Sequence, residues 1–138
     1  MKVLILCTGN SCRSQMAEAL LSYFSKNTNV YSAGTKPEKV NPYAIKAMAE
    51  MSIDISKNTS NHADEYAHID FDYVFTVCDN AKEICPIYPK AKQMIHHSFT
   101  DPADATGTEE EQLKAYIKVR NQLRDYFKIF ADKNLANK

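Results

Sequence analysis

The sequence has no excess of charge of either sign and no long hydrophobic run. Lysine and arginine number 17, as do aspartate and glutamate, so the formal net charge is zero. A general nucleic-acid binder would show a basic excess, which argues against that class. The apolar run from Val3 to Leu6 is far shorter than a signal-sequence core or the ~20 residues that cross a membrane. We expect a cytoplasmic protein that binds neither nucleic acid nor membranes.

Internal repeats, low-complexity tracts and linkers are also missing from the 138 residues. This length suits one domain, which buries enough surface to fold without a metal or a disulfide. We therefore expect a single domain over residues 1–138, present as a monomer. Few cysteines occur, and in the cytosol such residues are more often catalytic or metal-binding than structural. They are Cys7, Cys12, Cys78 and Cys85.

Short apolar segments alternate with helical patterns along the chain. The apolar segments, typical of strands buried in a parallel sheet, are residues 2–6, 30–33, 71–77 and 92–97. Helices are predicted from about Ser14, from the cap Asn41-Pro42, and from the capping box of Thr108 and Glu111. The alternation predicts a three-layer α/β domain with a small four-stranded parallel sheet flanked by helices.

Three candidate functional residues follow predicted strands. Cys7 comes after the first strand, Cys78 after the third and Asp101 after the fourth. Ligands of such folds bind beyond the carboxyl ends of the strands, which meet at one edge of the sheet. We therefore expect these three residues to share one site. The last few residues, after Asp132, are expected to fray.

Residues 7–13, called the first loop below, connect the first strand to the first helix with the spacing Cys-x5-Arg. A loop curled at a helix N-terminus points several backbone N–H groups into one concavity, which suits a tetrahedral oxyanion. Gly9 allows the backbone to close on itself, and Asn10 tolerates a left-handed conformation. Arg13 adds two donors, and the same positive field favours a thiolate on Cys7 as the nucleophile. The competing interpretation is a small buried cysteine beside a surface arginine.

The whole first loop is expected to surround the anion. The predicted anion-binding residues are Thr8, Gly9, Asn10, Ser11, Cys12 and Arg13. If the loop wraps an anion, the Cys12 side chain cannot point into the pocket as that of Cys7 does, so we expect Cys12 to be structural. Ser14 either donates its hydroxyl to the Cys7 sulfur and supports the thiolate, or caps the helix.

Cys78 and Cys85 are seven positions apart. In a helix they would lie ~10.5 Å apart along the axis, whereas a disulfide needs Cα atoms within about 7 Å. They can pair only if the segment unwinds, which predicts a redox switch that leaves residues 78–90 less protected from hydrogen exchange when oxidised. The alternative is two unrelated buried cysteines. A zinc site is disfavoured, because the cysteine spacings miss the usual motifs and Arg13 would face the ion.

Asp101 follows the last predicted strand, and Pro102 fixes the backbone beside it. A carboxylic acid at this position would reach the anion pocket and act as a general acid. An Asx turn or a helix cap explains the same residue equally well. Both interpretations of Asp101 therefore stay open.

Several segments together resemble one known family, the thioredoxin-coupled arsenate reductases, which are relatives of the low-molecular-weight protein tyrosine phosphatases. The matching segments are Cys7 to Glu18, Tyr31-Ser-Ala-Gly34, Asn41-Pro42, Val77-Cys78, Cys85-Pro86, Asp101-Pro102 and Gly107 to Glu111. Three features resemble the reductases more than the phosphatases. Gln15 stands where phosphatases usually carry proline, Ala103 stands where they usually carry tyrosine, and phosphate hydrolysis has no use for the pair Cys78 and Cys85.

The resemblance implies an enzyme that reduces arsenate to arsenite in arsenic detoxification. Arg13 would bind the oxyanion, the Cys7 thiolate would attack arsenic, and Asp101 would protonate the departing oxygen. Cys78 would then attack Cys7, so that arsenite leaves and a Cys7–Cys78 disulfide remains. Cys85 would next attack Cys78, which moves the disulfide to Cys78–Cys85, where thioredoxin reduces it.

The resemblance also bears on cofactors and on other functions. It implies no tightly bound cofactor, with electrons from thioredoxin rather than glutaredoxin. Some relatives bind potassium through positions matching Asn10, Glu18 and Ser32; the fourth ligand, usually aspartate, is Asn61 here, and the missing negative charge argues against a tight site. Two alternatives remain. One is a phosphatase of the same fold that does not reduce arsenate, and the other is a non-enzymatic metal or anion sensor.

Overall fold

A four-stranded parallel sheet forms the centre of the computed structural model, which describes residues 1–78 and 91–135. The strands are β1 (Lys2–Cys7), β2 (Asn29–Gly34), β3 (Phe71–Thr76) and β4 (Ala91–His96), and they lie in the order β2-β1-β3-β4. The predicted α/β fold and all four predicted strands are confirmed. Cys85 and most of the predicted redox switch lie outside the described residues, so the switch stays a prediction.

All three predicted helices are present, and the second and third begin at the predicted caps. They are α1 (Arg13–Phe24), α2 (Pro42–Ala49) and α3 (Glu109–Asn134), with short 3-10 helices at Ala63–Tyr66 and Pro102–Asp104. The Asn41 side chain accepts from the Tyr43 backbone N–H at 2.8 Å, and Thr108 and Glu111 form the expected capping box. The fraying expected after Asp132 is wrong for the next two residues, because the buried Leu135 secures the last turn of α3.

The two faces of the sheet pack against different parts of the chain. Val3 and Ile5 of the central strand β1 join a large core with α1, α2 and α3, whereas Leu4 and Leu6 join a smaller one that includes Phe71. Consecutive strand residues point to opposite faces, and because both faces are covered, β1 is buried from Val3 to Cys7. Within the described residues, no helix combines the length and the apolar character needed to cross a membrane.

The parallel arrangement brings the carboxyl ends of the strands to one edge of the sheet. Cys7 at the end of β1 lies beside Gly34 at the end of β2 in the parallel register. A Cβ atom on Gly34 would lie only 2.4 Å from the Thr8 carbonyl oxygen, so the first loop packs directly over this glycine. The sheet edge therefore fixes where the first loop sits.

Candidate active site

The first loop owes its shape to Asn10. This residue has φ of 49°, so the expected left-handed conformation is confirmed. Its side-chain nitrogen donates to the hydroxyls of Ser14 at 2.8 Å and Ser32 at 2.9 Å, while its side-chain oxygen accepts from the backbone N–H of Asn61 at 2.8 Å. Asn10 is fully buried and does not line the cavity described below. Its side chain thus supports the loop from inside the protein rather than facing the cavity.

Two further side chains, Gln15 and Ser60, hold the loop in place. The sequence predicted this role for neither of them. The buried Gln15 amide donates to the backbone carbonyls of Asn10 and Thr59, both at 3.0 Å. The Ser60 hydroxyl donates to the same Asn10 carbonyl at 2.7 Å. Gln15 therefore has a structural reason to differ from the proline of phosphatases, since proline would remove the amide that joins the loop to residues 58–61.

Cys7 is buried at the end of β1, with its Sγ atom 2.9 Å from the Ser14 Oγ atom. The Ser14 hydroxyl already accepts a hydrogen bond from Asn10, which leaves its single hydrogen free to point at the sulfur. Ser14 lies inside α1, and the cap position belongs to Cys12, whose side chain makes no capping hydrogen bond. The capping interpretation of Ser14 is therefore wrong, and its geometry suits support of a thiolate.

Arg13 is almost completely buried, with 3% of its surface exposed, so the interpretation as a surface arginine is wrong. Its Nη1 atom donates to the Phe99 carbonyl at 3.1 Å, and its Nη2 atom lies 3.5 Å from Asp101 Oδ2. A buried cation needs such acceptors to offset the loss of hydration. They hold the planar guanidinium in one orientation beneath the first loop.

Asp101 caps a short helix, as one of its two interpretations expects, and it also lines the cavity described below. Its Oδ1 atom accepts from the Ala103 backbone N–H at 3.0 Å and so caps the 3-10 helix that begins at Pro102. The same side chain lines the cavity next to Arg13 and keeps a quarter of its surface exposed. Capping fixes where the carboxyl group lies, and the remaining exposure leaves it accessible to a ligand.

The site cavity has a volume of ≈ 220 Å³, which is ample for a tetrahedral oxyanion. Its lining residues are Cys7, Thr8, Gly9, Ser11, Cys12, Arg13, Glu38, Asp101 and Ala103. The Thr8 hydroxyl is buried and has no hydrogen-bond partner within residues 1–78 and 91–135, which suits donation to a bound anion. The sequence did not predict Glu38 as a site residue. Glu38 follows the end of β2, so the rule that ligands bind beyond strand ends applies to it as it does to Cys7.

Cys12 also lines this cavity, contrary to the expectation that its side chain would be excluded. Its Sγ atom lies 3.9 Å from Asp101 Oδ1. Burial, together with the neighbouring Asp101 and Cys7, raises the pKa of Cys12 to about 12. Cys12 therefore stays a neutral thiol at physiological pH and is a poor nucleophile.

Cys78 is fully buried and follows β3 by two residues. The Val77 backbone N–H donates to the Leu6 carbonyl at 3.0 Å, which continues the pairing of β3 with β1 as far as this point. Cys7 and Cys78 thus come from the ends of neighbouring strands, although Cys78 does not line the cavity. Cys7 and Cys12 are free thiols, and Cys85 lies outside the described residues.

The residues matching the potassium ligands do not fit that ion as they are arranged. Asn10 directs its NH₂ group, not its oxygen, at Ser32, and a cation needs oxygen lone pairs. The Ser32 hydroxyl in turn donates to Glu18 Oε1 at 2.6 Å. Burial raises the pKa of Glu18, an effect only partly offset by the Ser32 hydrogen bonds. The Asn61 amide donates to Glu65 at 3.1 Å, so hydrogen bonds occupy the whole group.

The side chains that commonly ligate metals are dispersed in the described parts of the chain. Across residues 1–78 and 91–135, no group of three or more histidine, cysteine, aspartate or glutamate side chains is placed to hold a metal ion.

Fold and site together define a class of protein: a parallel α/β domain with a cysteine-and-arginine oxyanion loop between β1 and α1. The family model for low molecular weight phosphotyrosine protein phosphatase matches residues 2–134, and the chain belongs to this family.

Within the family, the chain is similar to proteins named arsenate reductase. The one from Halalkalibacterium halodurans is 44% identical over 131 residues, covering 94% of each chain. The one from Oceanobacillus iheyensis is 45% identical over 130 residues, again with 94% of each chain covered. A solved structure of an arsenate reductase in the phosphate-binding state superimposes with a TM-score of 0.81 at 30% identity, covering 96% of this chain and 97% of that one.

Proposed function

We propose that this protein is an arsenate reductase that converts arsenate to arsenite through a covalent adduct on Cys7. The observation that carries the proposal is the cavity in which the buried Cys7 thiol meets Arg13 and Asp101. Two relatives that align with this chain over 94% of its length and 94% of their own are named for the same activity. Thiol chemistry of this kind requires a reducing compartment, so we expect the enzyme to work in the cytoplasm.

The first step forms the adduct. The Cys7 thiolate, facing the Ser14 hydroxyl at 2.9 Å, attacks the arsenic of HAsO₄²⁻ bound by the first loop and Arg13. The arsenic–hydroxyl bond breaks, and that hydroxyl leaves as water after taking a proton from Asp101. The product is a Cys7–S–AsO₃²⁻ adduct, in which arsenic is still pentavalent. Backbone N–H groups and the guanidinium offset the charge that develops on its oxygens.

The second step transfers electrons. A thiolate on Cys78 attacks the Cys7 sulfur, the sulfur–arsenic bond breaks, and its electron pair stays on arsenic. Arsenic is reduced by two electrons and leaves as arsenite after taking up protons, while the two sulfurs are oxidised to a Cys7–Cys78 disulfide. The origin of both cysteines at the ends of neighbouring strands supports this pairing, since parallel strands lie about 4.8 Å apart.

The third step returns the enzyme to its starting state. A thiolate on Cys85 attacks Cys78 and releases Cys7, and thioredoxin then reduces the resulting Cys78–Cys85 disulfide. The full burial of Cys78 supports the need for such a shuttle, because a partner protein cannot approach a disulfide made inside the core.

A phosphatase activity at the same site is the second candidate. Hydrolysis of a phosphate monoester needs a nucleophile, an oxyanion-binding arginine and a general acid, and all three line the one cavity. We expect this activity to be slow and to depend on Cys7, Arg13 and Asp101 without Cys78 or Cys85.

The proposed function is tested by arsenate-dependent oxidation of NADPH in a coupled assay. The reduced wild type should turn over arsenate with thioredoxin and thioredoxin reductase, and much less well with glutathione and glutaredoxin. Cys7→Ser should abolish this turnover and the hydrolysis of a small aryl phosphate together. Arsenate turnover by Cys7→Ser would overturn the assignment of the nucleophile, and hydrolysis without any arsenate turnover by the wild type would favour the phosphatase.

A further inference from the structure

Glu38 is held at the mouth of the site cavity by its own backbone. Its N–H donates to the Gly9 carbonyl at 2.8 Å, and its carbonyl shares the single Ser60 hydroxyl hydrogen with the Asn10 carbonyl. The side chain extends over the first loop, where its Oε2 atom lies 3.0 Å from the position that a Cβ on Gly9 would take. The carboxylate is exposed to solvent and lines the same cavity as Cys7.

The charge of this carboxylate is not balanced locally. Arg13 is the cation that lines the cavity, and its guanidinium already faces Asp101 at 3.5 Å. Within the described parts of the chain, Glu38 forms no ion pair. Lys36 and Lys39 flank it in sequence, but neither lines the cavity. Among residues 1–78 and 91–135, the cavity therefore has a negative charge at its mouth that no cation pairs with.

We propose that Glu38 is a specificity-determining residue that selects ligands by the charge of whatever the oxyanion carries. Loop N–H groups and Arg13 act on the oxyanion itself, whereas Glu38 acts on a substituent that extends toward the mouth. It favours a cationic substituent, tolerates a neutral one and opposes an anionic one. A free inorganic oxyanion carries no substituent, so Glu38 acts only on the charge of the oxyanion itself. This inference rests on the proposed function of the cavity as an oxyanion site.

Three para-substituted phenylphosphonates, which are not hydrolysed, test the proposal by calorimetric binding to the reduced full-length protein. Their substituents are aminomethyl, hydroxymethyl and carboxyl, and inorganic phosphate serves as the ligand without a substituent. We expect the wild type to bind the aminomethyl compound more tightly than the carboxyl compound. Glu38→Gln should reduce this preference by about three- to tenfold, the effect of one charge several ångströms away in a solvated site. Glu38→Lys should reverse it, and high salt should weaken it.

Asp132→Asn is the matched control. It also removes one negative charge, but near the C-terminal end of α3, where Asp132 pairs with Lys128 at 3.4 Å. This control should keep the wild-type preference. The proposal is overturned if Glu38→Gln leaves the preference unchanged, or if Asp132→Asn alters it equally. If the wild type binds neither phosphate nor any phosphonate, the oxyanion site itself is wrong. Phosphate binding with no preference in the wild type refutes only the role of Glu38.

Discussion

At the scale of single residues, the Ser14 hydroxyl connects the shape of the first loop to the reactivity of Cys7. It accepts from Asn10 at 2.8 Å and faces the Cys7 sulfur at 2.9 Å. A thiolate at Cys7 would therefore receive a charge-assisted hydrogen bond from a group that the fold has already oriented.

Ser14→Ala should slow arsenate reduction while leaving the loop folded, since Asn10 keeps its hydrogen bond to Ser32 at 2.9 Å. A hydrogen bond to a charged group contributes about 1.5 to 3 kcal/mol, which corresponds to a loss of roughly ten- to a hundredfold in kcat/KM. Steady-state kinetics measure the effect, with Ser22→Ala on the same helix as the control. Unchanged kcat/KM in Ser14→Ala would show that the hydroxyl does not support the nucleophile.

Cys12→Ser should keep most of the arsenate reductase activity, in contrast to Cys7→Ser. A thiol whose pKa is raised to about 12 by burial supplies almost no thiolate at neutral pH, so its loss removes no nucleophile. The serine hydroxyl can still face Asp101, which lies 3.9 Å from the Cys12 sulfur. The coupled NADPH assay measures both variants in parallel. Complete loss of turnover in Cys12→Ser would reverse the ranking of the two cysteines.

At the scale of secondary-structure elements, the ends of the parallel strands decide what the site contains. Cys7 ends β1, Gly34 ends β2, and Cys78 follows β3. The pairing of β2 and β3 with β1 places these three positions next to one another. A change at one strand end is therefore expected to affect its neighbours.

Gly34→Ala should destabilise the protein and reduce activity together. The added Cβ would lie 2.4 Å from the Thr8 carbonyl oxygen, which is backbone and cannot rotate away. We expect a loss of about 1 to 3 kcal/mol in the free energy of unfolding, as in other overpacked sites, measured by urea denaturation. Gly9→Ala is the control and should cost less, because its Cβ meets the flexible Glu38 side chain at 3.0 Å. Equal stability of wild type and Gly34→Ala would contradict the close approach of loop and strand.

Cys78→Ser or Cys85→Ser should stop arsenate turnover and spare the hydrolysis of a small aryl phosphate. Hydrolysis uses the groups that line the cavity, and Cys78 is not one of them, whereas the proposed reduction needs a second thiol to accept the disulfide. The two assays are run on the same preparations, with Cys7→Ser as the variant that loses both activities. Normal turnover of arsenate with thioredoxin by either variant would refute the three-thiol relay.

At the scale of the whole molecule, the pH dependence of stability should contain a contribution from Glu18. Burial raises its pKa above the usual 4.5, so the folded state binds this proton more tightly than the unfolded state. The stabilisation that this proton provides is therefore complete below the pKa of Glu18 in the unfolded state. It is lost as the pH rises through the raised pKa of Glu18 in the folded state.

Glu18→Gln removes this ionisation and keeps an oxygen that accepts from Ser32, whose hydroxyl lies 2.6 Å from Glu18 Oε1. We expect the variant to gain stability relative to the wild type as the pH rises from acidic toward neutral. Urea unfolding of both proteins over a series of pH values measures this difference. Because all other titrating groups are shared, parallel stability curves would show that folding does not change the ionisation of Glu18.

The sequence by itself determined the secondary-structure elements and the residues of the first loop. The buried run of β1, the caps at Asn41 and Thr108, and the segment from Cys7 to Arg13 are each encoded by residues close together in the chain. Local sterics and hydrogen bonding act on such neighbours whatever the rest of the chain does. For this reason the parallel sheet, the left-handed Asn10 and the loop between strand and helix were all predicted.

Only the tertiary structure decided which side chains complete the site. Arg13 is buried because the Phe99 carbonyl, 86 positions away, accepts its hydrogen bond. Glu38 lines the cavity because β2 lies beside β1. These placements depend on the register of strands that are distant in sequence, and no local pattern carries that information.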